Sequence, residues 1–228
     1  MTNATSKILH LTRHSQAEHN VAEDYTILDA SLTELGRSQS QELYELTKDT
    51  IQKTAQLIVS SPLRRPMETM LIAFNDLKER LDAQGQGVIL LDTLQEIEGK
   101  PCDTPLFPVD VLKSSNGGIF SALDFSTLSE GYASKTGIFD PVNGSERARQ
   151  VRRWLRDRPE MEIVVVAHGD ILRYLVDGQQ STRRWDNAEL KAFTFVSEDD
   201  DNASLVAATN SIKPQDATDQ PTSSQMEG

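Results

Sequence analysis

Ile163-Val164-Val165-Val166-Ala167 is the clearest buried strand that the sequence predicts, and His168-Gly169-Asp170 follows it directly. An uninterrupted apolar run of this length is typical of a strand in a parallel sheet, where both faces are covered. A second short apolar run, residues 7–12, ends in the same way at Arg13-His14. Two predicted strands therefore deliver polar residues at their carboxyl ends.

The rest of the sequence alternates between strand and helix patterns. Helical spacing covers 33–55 (with Leu35, Leu43, Leu46 and Ile51 on the predicted apolar face), 67–81, 145–158 and 171–176, and strand patterns cover 57–60, 88–91, 193–196 and 204–207. This alternation predicts a three-layer α/β/α domain, with a mostly parallel central sheet and helices on both faces. The basic helix 145–158 is interpreted as a solvated helix face.

Four polar residues follow predicted strand ends, namely His14, Arg65, Glu96 and His168. In open α/β sheets, ligands bind beyond the carboxyl ends of the strands, so we expect these residues to share one pocket. We expect a single domain over residues 1–208. Within it, 99–143 is rich in Pro, Gly, Ser and Asp and is interpreted as an insertion that covers the substrate. Residues 209–228 show no periodicity, which predicts a disordered tail.

Composition narrows the classes of partner and location. The chain has 228 residues and a net charge of −12, which disfavours binding to nucleic acid or to anionic membrane surfaces. One cysteine, Cys102, excludes an intrachain disulfide, and no Cys/His spacing typical of a zinc site is present. No apolar run is long enough for a membrane span. We therefore expect a soluble, cytoplasmic or nuclear protein, and the sequence leaves its oligomeric state open.

Four ordered segments resemble the histidine phosphatase superfamily, of the branch that is similar to phosphoglycerate mutase. They are Thr12-Arg13-His14-Ser15-Gln16-Ala17-Glu18-His19-Asn20, Asp29-Ala30-Ser31-Leu32-Thr33-Glu34-Leu35-Gly36, Ser61-Pro62-Leu63-Arg64-Arg65-Pro66-Met67-Glu68-Thr69 and His168-Gly169. Leu94-Gln95-Glu96 supplies the acid of the family pattern. The resemblance implies the phosphoglycerate mutase-like fold and a phosphatase that needs no metal or cofactor and acts on a small phosphorylated metabolite.

The resemblance also implies roles for individual residues. His14 is the expected nucleophile, which forms a phosphohistidine, and Glu96 is the expected general acid. Arg13 and Arg65 are expected to bind phosphate, because planar guanidinium groups match phosphate oxygens. His168, if protonated, adds a third donor.

Other positions are less clear-cut in the sequence. Asn20 could hold the loop after His14 or touch phosphate, and Ser61 could orient an arginine or a ligand oxygen. Glu98 would point to the same side of an extended segment as Glu96, and the Leu-x-Glu match favours Glu96.

Two positions depart from the family pattern: Ser15 and Asp170 each stand where the family commonly has Gly. A side chain at either place is expected to narrow the pocket, and a carboxylate at 170 would oppose a phosphate. The Glu-Arg-x-x-Gly pattern of the mutases is absent, and residues 96–104 and 184–189 resemble fungal phosphoglycerate-mutase-like proteins. The alternative is a degenerate phosphatase fold that serves as a binding or scaffold protein or catalyses a non-phosphatase reaction.

Overall fold

A computed structural model describes residues 3–177, 184–208 and 211–217. Its strands are β1 (Ile8–Arg13), β2 (Leu57–Ser60), β3 (Ile89–Leu90), β4 (Glu162–Ala167), β5 (Leu190–Phe195) and β6 (Leu205–Ala207). Its helices are α1 (Glu18–Ala22), α2 (Glu34–Thr47), α3 (Ile51–Thr54), α4 (Arg64–Ala73), α5 (Asn75–Ala83), α6 (Val109–Ser114), α7 (Gly144–Asp157) and α8 (Gly169–Asp177). Within the described ranges, no helix combines the length and the apolar character that a membrane span requires.

The strands form one sheet in the order β3-β2-β4-β1-β5-β6. The first four are parallel, whereas β5 is antiparallel to β1 and β6 is antiparallel to β5. The register pairs Arg13 with Ala167 and Ser60 with Val166, so the carboxyl ends of β1, β4 and β2 lie side by side. The predicted mostly parallel sheet is confirmed.

Alternate residues of β4 enter two different cores. Ile163 and Val165 pack with apolar residues of α7 and α8, whereas Val164 and Val166 pack with those of α2, α4, α5 and the insertion. A strand that is covered on both faces needs apolar residues at every position, which explains the uninterrupted run in the sequence. The three-layer α/β/α prediction is confirmed.

The buried face of α2 differs from the predicted one. Leu35 and Leu46 are 39% and 44% exposed, although Leu43 is buried as expected. Polar residues take their place because this face packs on the loop after β1, where Gln39 Oε1 accepts the Gln16 N–H at 2.9 Å. The prediction for Leu35 and Leu46 is wrong because hydrogen bonds to that loop fix the rotation of the helix. The predicted helix 67–81 is likewise two helices, α4 and α5.

Residues 99–143 form α6 and several single turns of 3-10 helix. Leu112, Phe120 and Leu123 of this insertion pack in the core on the α4 side of the sheet. Two other parts of the insertion, around Asp103 and Lys135, contact the residues at the carboxyl edge of the sheet. The coverage of a substrate by this segment stays a prediction.

The basic helix α7 is not a uniformly solvated face. Arg147 is fully buried and Arg152 is nearly so. Both donate to backbone carbonyls: Arg147 Nη2 to Glu96 O at 3.2 Å, and Arg152 Nε to Asn202 O at 2.8 Å. The interpretation as a solvated face is therefore wrong for these two residues, because they reach the backbone of neighbouring segments.

Part of the predicted disordered tail belongs to the folded structure. Ile212 forms a bridge with Leu190 of β5, and their backbone N–H and carbonyl groups are joined by two hydrogen bonds of 2.8 Å. Gln39 Nε2 also donates to Asp216 O at 3.0 Å. For residues 211–217 the prediction of disorder is wrong, because this segment extends the hydrogen bonding of the sheet. Residues 209–210 and 218–228 lie outside the described residues.

Candidate active site

The carboxyl edge of the sheet brings four of the predicted residues together. His14 follows β1, Ser61 follows β2 and His168 follows β4, and these strands are neighbours. The ring centroids of His14 and His168 are 5.2 Å apart, and Ser61 Oγ lies 2.8 Å from His168 Nε2. Arg65, in the first turn of α4, places its Nε 3.1 Å from His14 Nε2. The structure thus brings together His14, Arg65 and His168, which were expected to meet because each follows a predicted strand end.

His14 carries its ring hydrogen on Nδ1. That atom lies 2.7 Å from the carbonyl oxygen of Ser15, which can only accept. Nε2 therefore presents a lone pair, which accepts the Arg65 Nε–H. Burial, followed by the charges of Arg65 and Arg13, holds the pKa of His14 well below its ordinary value. The ring is thus neutral at pH 7, and its Nε2 lone pair accepts a hydrogen bond from a cation.

The two predicted phosphate-binding arginines are buried and fixed by acceptors. Arg65 Nη1 donates to Cys102 O at 2.5 Å, and Arg65 Nη2 lies 3.0 Å from Asp103 Oδ1. Arg13 Nη1 donates to the carbonyl of Trp185. Two buried guanidinium groups therefore flank His14, and the insertion holds the terminal nitrogens of one of them.

His168 is neutral in the unliganded chain. Burial and the charge of Arg65 hold its pKa well below the ordinary value. Its Nε2 pairs with Ser61 Oγ, whereas its Nδ1 has no hydrogen-bond partner among the described residues. The role of a protonated third donor, expected from the sequence, therefore requires a bound anion that raises its pKa.

The carboxyl group of Glu96 lies against the first turn of α8. Its Oε2 accepts the Asp170 N–H at 3.3 Å and its Oε1 accepts the Ile171 N–H at 3.1 Å. Burial, followed by the nearby carboxylates of Asp170 and Asp103, raises the pKa of Glu96 to about 8. A carboxyl group that is protonated at neutral pH suits a general acid. Glu98 is only partly buried, so its environment differs from that of Glu96.

Asn20 holds the loop after His14. Its Oδ1 accepts the Ala17 N–H at 3.0 Å, which satisfies a backbone donor at the start of α1. Its Nδ2 lies 3.2 Å from His19 Nε2. Of the two roles expected for Asn20, this geometry supports the one in the loop.

Ser15 and Asp170, the two departures from the family pattern, have identifiable partners. Ser15 Oγ lies 2.7 Å from Ser40 Oγ on α2, so its hydroxyl faces that helix. Asp170 Oδ1 lies 3.6 Å from Arg173 Nη1 within α8. The Ser15 hydroxyl therefore points to α2, and the carboxylate of Asp170 contributes, after burial, to the raised pKa of Glu96.

Four residues near this cluster were missed by the sequence reasoning: Asp103, His19, Lys135 and Arg147. His19, which was interpreted as a structural residue, has its ring centroid 6.0 Å from that of His14. Lys135 Nζ donates to Glu96 O at 2.8 Å, the same oxygen that accepts from Arg147. Asp103 lies in the stretch 96–104, His19 in the segment 12–20 and Arg147 in the basic helix 145–158, whereas Lys135 had no signal in the sequence.

The cluster is closed to solvent. None of Arg13, His14, Arg65, Glu96 and His168 is more than 2% exposed. In the described part of the chain, no group of three or more His, Cys, Asp or Glu side chains is arranged to hold a metal ion. The five side chains are therefore almost wholly covered by protein atoms.

Comparison with known proteins finds similarity to histidine phosphatases and to phosphoglycerate mutase-like proteins. Residues 9–107 match the histidine phosphatase superfamily (branch 1). A phosphoglycerate mutase-like protein of Arabidopsis thaliana is 26% identical over 206 residues, which cover 77% of this chain and 72% of the relative. A "probable phosphatase" of Schizosaccharomyces pombe is 26% identical over 171 residues, 73% of this chain and 76% of the relative.

Solved structures share the fold. A phosphoserine phosphatase mutant from Entamoeba histolytica in complex with phosphoserine has a TM-score of 0.54 and 20% identity, covering 89% of this chain and 95% of that one. The α-ribazole phosphatase from Shigella flexneri has a TM-score of 0.52 and 17% identity, covering 88% and 94%. At this level of identity the likeness establishes the architecture.

Proposed function

We propose that the chain is a member of the histidine phosphatase superfamily, to which residues 9–107 are similar, and that it is a metal-independent phosphomonoesterase that acts on a small phosphorylated metabolite. One observation carries the proposal. His14 is neutral, and its unprotonated Nε2 accepts a hydrogen bond from the guanidinium of Arg65. A nucleophile beside a buried cation is what attack on a phosphate dianion requires.

In the first step, His14 Nε2 attacks phosphorus and the bond from phosphorus to the ester oxygen breaks. Arg13 and Arg65 neutralise the charge on the phosphoryl oxygens, which carry most of it in a loose transition state. Glu96 gives its proton to the leaving oxygen. The Nδ1–H bond to Ser15 O stabilises the positive charge that the imidazole gains.

In the second step, Glu96 is a carboxylate and takes a proton from water. The oxygen of that water attacks phosphorus, the bond to His14 Nε2 breaks, and orthophosphate leaves. The cycle returns Glu96 to its protonated form and His14 to its neutral form. No metal ion or cofactor enters either step.

A second candidate function has one observation in its favour. The cluster is buried, and Asp103 and Cys102 already hold both terminal nitrogens of Arg65. A binding or scaffold protein with a permanently closed site would show the same contacts. The two candidates differ in turnover, which an assay measures directly.

The test is phosphate release from an aryl phosphate at mildly acidic pH. Loss of the nucleophile in His14→Gln is expected to lower kcat at least about a thousandfold. His10→Gln is the matched control, because His10 is also buried but pairs with Glu162 at the opposite end of β1. Absence of wild-type turnover across a broad panel of phosphomonoesters would favour the scaffold.

A further inference from the structure

Two ring side chains outside the proposed catalytic set lie beside His14. The ring centroid of His19 is 6.0 Å from that of His14, and the ring centroid of Tyr25 is 6.2 Å from that of His19. His19 belongs to α1, and Tyr25 lies in the turn that follows it. His19 is 3% exposed, and the hydroxyl oxygen of Tyr25 is also buried. The polar atoms of both rings therefore need partners other than bulk solvent.

The hydrogen bonds of Asn20 fix the tautomer of His19. Asn20 Oδ1 accepts the Ala17 N–H at 3.0 Å, so the amide nitrogen Nδ2 is the atom that lies 3.2 Å from His19 Nε2. An amide nitrogen only donates, so His19 Nε2 accepts. Burial, followed by the charges of Arg65 and Arg13, holds the pKa of His19 well below its ordinary value. The ring is therefore neutral at pH 7 and carries its hydrogen on Nδ1.

Two donors of this pair of rings are unused. His19 Nδ1 and the Tyr25 hydroxyl have no hydrogen-bond partner among the described residues. Burial, followed by the charge of Glu23, raises the pKa of Tyr25, so the phenol keeps its proton at neutral pH. Buried polar groups in folded proteins are nearly always paired. An N–H and an O–H that both lack an acceptor near the nucleophile therefore indicate that a ligand supplies one.

The charges around these donors favour an anionic acceptor. The guanidinium groups of Arg65 and Arg13 act on His19, and the charge of Arg13 also reaches the phenol of Tyr25. Asp103, a carboxylate that acts on Tyr25 as well, is paired with Arg65. Hydrogen bonds to a charged acceptor are stronger than those to a neutral one. The proposed mechanism brings one anion to this place, namely the phosphoryl group that is attached to the nucleophile.

We infer that His19 and Tyr25 are two further catalytic residues, whose N–H and O–H groups donate to oxygens of the phosphoryl group during its transfer to and from His14. This inference rests on the proposed function. Both donors are neutral, so they stabilise the charge on the phosphoryl oxygens without adding a cation beside the nucleophile. A further cation would lower the pKa of His14 again, as Arg65 and Arg13 already do.

Orthovanadate tests these contacts, because it resembles the phosphoryl group in transfer and binds without turnover. We expect Tyr25→Phe to raise the Kd for vanadate about tenfold, the size of one hydrogen bond to a charged group. The Kd is measured by isothermal titration calorimetry. Tyr44→Phe is the matched control, since it also removes one hydroxyl, but that hydroxyl donates to the exposed Asp76. The control is expected to keep the Kd of the wild type.

The stability of Tyr25→Phe separates a catalytic role from a structural one. The Tyr25 hydroxyl has no partner among the described residues, so its removal should not lower the free energy of unfolding. A hydroxyl that served the fold would lower it when removed. We therefore expect Tyr25→Phe to bind vanadate more weakly and to unfold at the same denaturant concentration as the wild type.

His19 is tested in the unmodified chain, because its replacement would also remove the acceptor of Asn20. The chain has four histidines, so labelling with ¹⁵N-histidine gives four rings, whose NMR signals are assigned by replacing one histidine at a time. On addition of vanadate we expect the Nδ1–H proton of His19 to shift downfield, as it forms a hydrogen bond to a charged oxygen. The signal of His10, which pairs with Glu162 at the opposite end of β1, should not move.

Both results are required. An unchanged Kd in Tyr25→Phe, or a His19 signal that vanadate does not move, would overturn the inference. Failure of the proposed function gives a different pattern: a wild type that shows both effects but hydrolyses no phosphomonoester would contradict the phosphatase and support the two contacts. A wild type that does not bind vanadate would contradict both the contacts and the phosphate site.

Discussion

The hydrogen bond between Arg65 Nε and His14 Nε2 has two consequences. It points the lone pair of the proposed nucleophile at a cation, and the same cation attracts an anionic phosphate group. It also occupies that lone pair, so the Arg65 N–H must turn away before attack. A phosphate oxygen is the natural replacement acceptor, because its charge makes a stronger hydrogen bond than the neutral imidazole does.

The pH dependence of turnover follows from Glu96. Its pKa of about 8 means that the acid form is fully present at lower pH and is lost as pH rises through about 8. We expect kcat/KM to fall above that pH. Glu96→Gln cannot donate a proton, so it should lower the rate by about a hundredfold or more and abolish this pH dependence.

This profile should be measured with hydroxyethyl phosphate. The alcohol that leaves from this substrate is neutral, so the titration of the nearby Lys135 contributes little to the pH dependence of kcat/KM. An alkyl alcohol also needs protonation by the general acid more than an aryl leaving group does. Glu98→Gln is the control, because Glu98 lies two residues away and is only partly buried. If Glu98→Gln rather than Glu96→Gln removed the pH dependence, the assignment of the acid would be wrong.

Some residues of the site could be predicted from the sequence and others could not. Arg13, His14 and His168 stand at the ends of apolar runs, so the rules of parallel sheets suffice to bring them together. Lys135 and Arg147 follow no strand, and their positions depend on how the insertion and α7 pack against the segment that contains Glu96. Such long-range contacts leave no periodic signal in a single sequence.

At the scale of elements, the junction between α2 and the loop after β1 depends on Gly36. A Cβ at this position would lie 2.0 Å from the carbonyl oxygen of Gln16, a backbone atom that cannot move alone. Alanine is about 1 kcal/mol better than glycine inside a helix, so without the clash Gly36→Ala would stabilise the chain. With it, we expect a loss of about 2 kcal/mol or more in the free energy of unfolding, measured with denaturant.

Gly131→Ala is the matched control. Its added Cβ would lie 3.7 Å from Ser134 Oγ, an ordinary contact. We expect a change within about 0.5 kcal/mol, as for most surface substitutions. Equal stability of Gly36→Ala and Gly131→Ala would show that α2 does not pack closely against the backbone of Gln16.

The elements themselves differed in how well the sequence predicted them. The strand β4 is covered on both faces by apolar helices, so its run of valines indicated its position directly. The helix α2 buries Gln39 and Ser40 against polar loop atoms, so its apolar residues do not mark its buried face. Periodicity reports apolar burial, and it fails where a helix packs through hydrogen bonds.

At the scale of the whole molecule, an acidic protein encloses a cationic site. The net charge is −12, yet Arg13, Arg65, Lys135 and Arg147 lie around one closed cluster. Orthophosphate, the proposed product, should bind there and stabilise the fold by mass action. At about a hundred times its Kd we expect Tm to rise by about 5–10 °C.

Sodium chloride at equal ionic strength is the control, because any salt screens the repulsion between the acidic groups. Arg13→Met should reduce the rise in Tm that phosphate causes beyond the rise with sodium chloride. Equal changes in Tm with chloride and with phosphate would mean that the closed cluster does not admit the anion.

The most direct test of His14 as the nucleophile is to trap the intermediate. Wild-type protein is mixed with substrate, quenched at alkaline pH, where phosphohistidine survives, and analysed by mass spectrometry of the intact chain and its peptides. We expect one phosphoryl group on His14, absent from His14→Gln and formed before steady-state phosphate release. Turnover with His14 unmodified, or a phosphoryl group on another side chain, would contradict it.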